Sequence, residues 1–185
     1  MMKYVVLLRG INVGGKNTVS MEKLKLYLEE LGYKNIKSYI NSGNILLESD
    51  KPHKEIADQI EKILPIKFNL DSSIVRVLIL SHKDLKEIIS KAPKGFGTIP
   101  TKYHSDVIFL MGVSTEEALK VFSPKEGIDR IWPGNGVIYS ERLSAERTKS
   151  RLNKIIGTAV YKSMTIRNWN TTTKLLKILE EMETH

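Results

Sequence analysis

Arg9-Gly10-Ile11-Asn12-Val13-Gly14-Gly15-Lys16-Asn17 follows directly on the apolar run Tyr4-Val5-Val6-Leu7-Leu8. Glycines, two amide side chains and a lysine therefore stand where a strand ends, a composition that offers backbone N–H groups and a cation to an anion. Gly10, four further residues, Gly15 and Lys16 come one residue short of a phosphate-binding P-loop, because Asn17 stands where Ser or Thr would hold Mg²⁺. A P-loop also passes straight into its helix. Here the next helix signal is Ser20 as N-cap, with Met21, Leu24, Leu28 and Leu31 on one face and Gly32 past the end. Anion binding without metal-dependent nucleotide hydrolysis is the expectation. The competing reading is structural: Gly14 and Gly15 supply positive φ to a tight loop, Asn12 caps a turn, and Lys16 is solvated.

Two further segments carry the same kind of chemistry. Tyr39-Ile40-Asn41-Ser42-Gly43-Asn44-Ile45 reads as two strands joined by a turn whose residues tolerate left-handed backbone, and Asn41, Ser42 and Asn44 add amide and hydroxyl groups. Arg167-Asn168-Trp169-Asn170-Thr171-Thr172-Thr173-Lys174 enters the last helix and places an arginine beside free helix N–H groups. Trp169, next to the apolar run Leu175, Leu176, Ile178 and Leu179, reads as core before it reads as a stacking platform, and Trp132 beside Pro133 likewise.

Charge is concentrated rather than spread. The chain has 29 basic and 21 acidic residues, a net +8. Residues 142–177 hold Arg142, Arg147, Lys149, Arg151, Lys154, Lys162, Arg167, Lys174 and Lys177 against Glu146 alone, which accounts for the whole excess. Within that stretch the spacing predicts a helix over 145–156, with Arg147, Arg151 and Lys154 opposite Leu152, Ile155 and Ile156, and with Ser150 near the basic face. Such a face is either solvated or turned to phosphates.

The elements that must position these groups follow from hydrophobic period and breakers. Strands are expected near 3–9, 36–40, 44–48 and 73–80, with helices at 21–31 and at 53–64, the latter stopping before Pro65. A connecting helix opens at Ser81 and Asp84 and gives way to Ala92-Pro93-Lys94-Gly95-Phe96-Gly97. Beyond it come strands near 105–111, 128–132, 137–140 and 163–166. Helices are read at the capping box Ser114-Thr115-Glu116-Glu117, over 145–156 and over 171–182. The order βαββαβ occurs twice, so the expected fold is α+β, two ferredoxin-like subdomains packed together. The expected domains are residues 1–80, a connecting helix and loop over 81–102, and residues 103–185 with an extra C-terminal helix.

Composition excludes several classes. With 185 residues, 41% apolar and 27% charged, the chain is globular rather than disordered. It has no cysteine, hence no disulfide, thiolate nucleophile or cysteine metal ligand, which fits a reducing compartment. The apolar run at the start is too short for a signal peptide, and nothing approaches the roughly 20 residues that span a bilayer. A cytoplasmic protein with no membrane partner is expected. His53, His82, His104 and His185 show no metal-ligand spacing and no local carboxylate or nucleophile partner, so neither metal nor cofactor is expected.

The chain resembles the family of conserved bacterial proteins known as domain of unknown function 1697. The resemblance is carried by Leu7-Leu8-Arg9-Gly10-Ile11-Asn12-Val13-Gly14-Gly15-Lys16-Asn17, by Tyr39-Ile40-Asn41-Ser42-Gly43-Asn44, and by Thr165-Ile166-Arg167-Asn168-Trp169-Asn170-Thr171 with Lys174-Leu175. It implies an α+β fold of two ferredoxin-like subdomains and no established activity.

Taken together, these readings lead to a binding protein whose site is formed by Arg9, Asn12, Gly14, Gly15 and Lys16 with Asn41, Ser42 and Asn44, joined by Arg167 and Asn168, and facing a phosphate-bearing ligand. Nucleic acid is the partner class that uses both the glycine loop and the basic region, through mainly phosphate contacts. Two alternatives stay open. One is an enzyme on a phosphorylated small molecule or nucleotide, with Lys16 and Arg167 stabilising charge and Ser42 or Ser150 as nucleophile. The other is an interaction or assembly module with an apolar surface around the Pro93 to Pro100 loop. Oligomeric state is left open.

Overall fold

The computed structural model describes residues 1–71 and 73–182. The chain divides into two compact units, Met1–Lys86 with the C-terminal segment from Leu175 onward, and Glu87–Lys174.

In the first unit β1 (Met2–Arg9), α1 (Met21–Glu30), β2 (Lys34–Ser38), β3 (Asn44–Ser49), α2 (His53–Phe68) and β4 (Arg76–Ser81) follow one another. Their strands form one antiparallel sheet in the order β2-β3-β1-β4. Val5 and Leu7 alternate with Tyr4, Val6 and Leu8 along β1, and all five are buried. A strand covered on both faces takes an inner place in its sheet, which is why this run shows no polar alternation. One face joins Leu24 and Leu28 of α1 and Ile56, Ile60 and Leu64 of α2 in a single core. Ser20 caps α1, its Oγ accepting from Lys23 N–H.

The expected stop of α2 before Pro65 is a correction: the helix runs through Pro65 to Phe68 and closes at Asn69, whose φ of 52° is left-handed. Proline removes one helix hydrogen bond, but Phe68 and Leu70 pack against the core beyond it and hold the last turn. The Leu70 N–H then returns to the Pro65 carbonyl.

α3 (His82–Ser90) runs across the division. It opens on a reciprocal cap in which Ser81 N–H and Oγ donate to Asp84 Oδ2 at 2.9 and 2.6 Å, while Asp84 N–H donates to Ser81 Oγ at 3.2 Å. β5 (Tyr103–Leu110), α4 (Thr115–Leu119), β6 (Asp129–Pro133), β7 (Val137–Leu143), β8 (Met164–Asn168) and α5 (Trp169–Glu181) follow. The second sheet is antiparallel with order β6-β7-β5-β8, the same arrangement as the first. Both units are therefore ferredoxin-like in strand order, and the fold is α+β.

The helix expected over 145–156 is not there. Residues 144–163 instead make three short 3-10 turns, Ser144–Lys149, Leu152–Gly157 and Ala159–Ser163. Extended backbone interrupts them at Ser150 (ψ 144°) and Thr158 (ψ 152°). Local side chains compete with the helix for its N–H groups: Ser150 Oγ takes Leu152 N–H, Thr158 Oγ1 takes Tyr161 N–H, and Asp129 Oδ2 takes Arg151 N–H at 2.8 Å. Arg147, Arg151 and Lys154 consequently share no α-helical face. Leu152 and Ile155 still reach inward and are buried.

Candidate functional site

The loop after β1 is fixed at its base and open at its tip. Gly10 has a φ of +80°, and a Cβ there would lie 2.3 Å from the Ile74 carbonyl oxygen. Only glycine fits such an approach. Arg9 Nη1 donates to the same carbonyl at 3.0 Å, so this arginine ties the loop to the start of β4. Asn17 Nδ2 donates to the Gly10 carbonyl at 2.9 Å while its Oδ1 accepts from Asp71 N–H at 3.1 Å. Asp71 in turn accepts from Ser73, a turn that delays β4 to Arg76 instead of the expected 73.

Above that base, Lys16 N–H donates to the Val13 carbonyl at 3.0 Å, and Gly14 and Gly15 between them have φ of 57° and 74°. Two consecutive positive φ values define a type I′ turn. Built there, a Cβ would meet nothing within 4 Å at either glycine. Val13, Gly14, Gly15 and Lys16 are all exposed.

Asn12 connects this loop to the 39–44 hairpin. Its Oδ1 accepts from Val19 N–H at 2.7 Å, and its Nδ2 donates to the carbonyls of Val19 at 3.1 Å and Asn41 at 2.8 Å. In the hairpin the buried Asn44 donates from Nδ2 to the Tyr39 carbonyl at 3.0 Å and to Ser42 Oγ at 2.9 Å. Ile40 sits at φ 51° with its side chain exposed. For a β-branched residue that conformation costs on the order of 1–2 kcal/mol and persists only where the surroundings impose it.

The two loops enclose one side of an open cleft of about 590 Å³, lined by Asn12, Gly15, Thr18, Ser20, Glu22 and Asn41 among others. Its floor is the start of α1, where Ser20 Oγ takes the Lys23 N–H and the Met21 and Glu22 N–H groups precede the first intrahelical bond. Amides, hydroxyls and helix N–H groups favour an anion here, the exposed Lys16 stands next to Gly15 at the rim, and Glu22 is the acidic exception. Of the predicted residues Asn12, Gly15 and Asn41 line the cleft, Gly14, Lys16, Ser42 and Asn44 adjoin them in the same two loops, and Arg9 is tied to Ile74; Arg9, Asn12 and Asn44 spend identified hydrogen bonds on holding the loops.

Arg167 and Asn168 lie in the second unit. Arg167 is buried, with Nη1 donating to Thr165 Oγ1 and to the Ile166 carbonyl, both at 2.9 Å. Burial pulls its guanidinium down to about 10, which leaves it charged at neutral pH. Asn168 caps α5 by accepting from Asn170 N–H at 2.9 Å and lines a cleft of about 230 Å³ with Tyr103, His104, Trp169 and Asn170. Trp169 and Trp132 both meet Phe96 edge to face, at 5.1 and 5.9 Å, so each is packing as expected. Phe96 itself is 4% exposed whereas Ile99 is 49% exposed, so the 93–100 loop turns its aromatic ring inward. Gly97 N–H, Ser105 Oγ and Arg130 Nη2 all donate to the buried Glu141 carboxylate at 2.9, 2.7 and 2.6 Å.

The two serines offered as nucleophiles are both engaged. Ser42 Oγ accepts from Asn44, and Ser150 Oγ accepts from Leu152 N–H while bonding the Asp129 carboxylate. Three histidines have carboxylate partners, and the expectation of no local partner is corrected for His104 alone. His53 lies 3.3 Å from Asp84, His82 lies 3.4 Å from Glu180, and His104 lies 3.1 Å from Asp106. His185 lies outside the described residues. The first two pairs join distant segments, but His104 and Asp106 are two apart on β5 and share a face, a spacing visible in the sequence. Among the described residues no group of three or more His, Asp or Glu side chains is placed to hold a metal ion.

A protein-family model described as "Protein of unknown function (DUF1697)" matches residues 1–139. That span contains both N-terminal loops and stops short of Arg167. Among solved structures, a conserved bacterial protein from Streptococcus pneumoniae is similar at 26% identity with a TM-score of 0.78, over 96% of this chain and 98% of that one. No curated protein matches the chain.

Proposed function

The chain belongs to the DUF1697 family, and we propose that it binds a phosphate-bearing ligand, nucleic acid foremost, in the cleft between its glycine-rich loop and the 39–44 hairpin. The observation that carries the reading is the division of labour within the loop. Gly10, Asn12 and Asn17 lock its base by specific hydrogen bonds, while the Val13–Lys16 turn is presented to solvent with no packing duty. A tip held rigidly and left uncovered serves recognition, because its ordering costs entropy that no core contact returns. The strained Ile40 on the facing hairpin supports the same reading.

The excess basic charge of residues 142–177 adds steering toward a polyanion, and the 3-10 turns leave Arg147, Lys149, Arg151 and Lys154 exposed. Contacts of this kind run to phosphates and read sequence weakly. Part of the same proposal is a cytoplasmic location, supported by the absence of cysteine. No helix among the described residues is long and apolar enough to cross a membrane.

The reading is tested by titrating ¹⁵N-labelled protein with a short single-stranded oligonucleotide and following amide resonances. Shifts centred on Gly14, Gly15, Lys16 and Ser20, reversed by salt, are the expected result. Shifts confined to other surfaces would remove the cleft from the account.

A further inference from the structure

Beneath the 3-10 turns of the second unit lies a smaller and more enclosed cavity, separate from the cleft of the first unit. It is lined by Asp106, Ile108, Ser140, Arg142 and Ile166 from the sheet and by Leu152, Asn153, Ile155, Ile156 and Tyr161 from the 3-10 turns. Its volume is about 130 Å³. A dry apolar cavity of roughly 150 Å³ holds a benzene-sized molecule, so this one encloses about that many heavy atoms and the rest of a larger ligand extends to the exposed Ile156 rim.

Its polar wall has a defined layout. Asp106 and Ser140 are directly opposed across β5 and β7, and Arg142 stands two residues further along β7, opposite His104. Residues two apart on a strand share a face about 7 Å apart, so the Asp106 carboxylate and the Arg142 guanidinium flank Ser140 on the cavity side. His104 lies 3.1 Å from Asp106 Oδ2 and orients that carboxylate. Asp129 opposes Arg142 on β6. Among the described residues Arg142 Nε is buried with no hydrogen-bond partner. The neighbouring Asp129 carboxylate balances the Arg142 charge, so what is unmade is one hydrogen bond from a buried donor, and in a cavity wall a ligand acceptor would complete it.

We propose that this cavity binds a small zwitterion with a branched aliphatic body, the chemistry of a free aliphatic amino acid. Arg142 takes the carboxylate, Asp106 takes the ammonium group, Ser140 bridges the two, and the isoleucine wall encloses the apolar body. A simple anion is disfavoured by Asp106 and a simple cation by Arg142, whereas a molecule carrying both charges about one residue apart satisfies both. Ile156, exposed at 56%, forms the rim through which such a molecule enters.

The proposal rests on the second unit alone and stands whether or not the first unit binds phosphate. Its test is isothermal titration calorimetry of the full chain with L-leucine, isovalerate and 3-methylbutylamine. L-Leucine is expected to bind and the two singly charged analogues to bind at least about tenfold more weakly, as the loss of one charge-assisted contact implies. Arg142→Gln should weaken L-leucine about tenfold or more. Ile156→Trp, a change at the exposed rim that leaves the core intact, should block entry with unchanged circular dichroism. Absence of L-leucine binding at millimolar concentration, equal affinity for isovalerate, or undiminished binding by Ile156→Trp would each overturn the assignment.

Discussion

The two units share a sheet order and differ in what covers it. In the first, α2 lays Ile56, Ile60 and Leu64 over the sheet from a continuous 16-residue helix. In the second, the same place in the element order is filled by three 3-10 turns that bury Leu152 and Ile155. Strand pairing is decided by apolar runs and register, which both halves possess. The covering layer is decided by whether backbone N–H groups bond up the helix or to nearby side chains, and Ser150, Thr158 and Asp129 supply that competition only in the second unit.

The largest expected effect lies in the helical cover. Ile60→Ala should lose about 3–4 kcal/mol, because a fully buried side chain leaves a cavity inside a rigid helix-sheet layer. Ile155→Ala, in a cover able to collapse locally, should lose about 2 kcal/mol by the same denaturant unfolding measurement. Equal losses would break the comparison.

Asp129→Ala should cost about 2–3 kcal/mol, since Lys125 N–H and Arg151 N–H lose their acceptor. Burial pushes the Asp129 carboxyl up, but hydrogen bonds from Ser150, Arg151 N–H and Lys125 N–H and the nearby Arg142 charge outweigh it and hold it below the ordinary 3.8. A depressed carboxylate stabilises the fold above its unfolded value and loses that contribution as pH falls through 3.8 toward the folded one. Wild type should therefore lose stability below roughly pH 4–5, and Asp129→Ala should show a shallower slope across that window. Parallel pH profiles would contradict this.

Smaller effects belong to the loops of the first unit. Gly14→Val forces a branched residue to φ 57° with nothing else in its way, so about 1–2 kcal/mol of strain is expected together with weaker ligand binding. Unchanged stability and binding would show that the glycines shape no site. Ile40→Asn relieves the left-handed strain of a β-branched residue and should stabilise by about 0.5–1 kcal/mol while loosening the hairpin face of the cleft.

Much of this was readable in the residues. Alternating and continuous apolar runs located the strands, Ser20, Ser81 with Asp84, and Ser114 marked helix starts, and consecutive glycines announced a turn with positive φ. Pro65 misled, because tertiary packing of Phe68 outweighed one lost helix bond. The basic stretch 145–156 misled for the opposite reason: its apolar period is helical, but a strand residue distant in sequence, Asp129, captures the Arg151 N–H. The Asp106–Ser140–Arg142 wall was invisible because it depends on the register of β5 against β7, which no local spacing encodes.

The central claim is that the exposed Val13–Lys16 turn serves a phosphate-bearing ligand, and fluorescence anisotropy tests it most directly. Wild type and Lys16→Ala would be titrated with labelled single-stranded RNA and DNA across a salt series, with nucleotides and inorganic phosphate as competitors. Affinity falling steeply with salt in wild type, with the logarithmic slope smaller by about one in Lys16→Ala and stability unchanged, is the predicted result. No binding at low salt, or identical slopes for the two proteins, would contradict it.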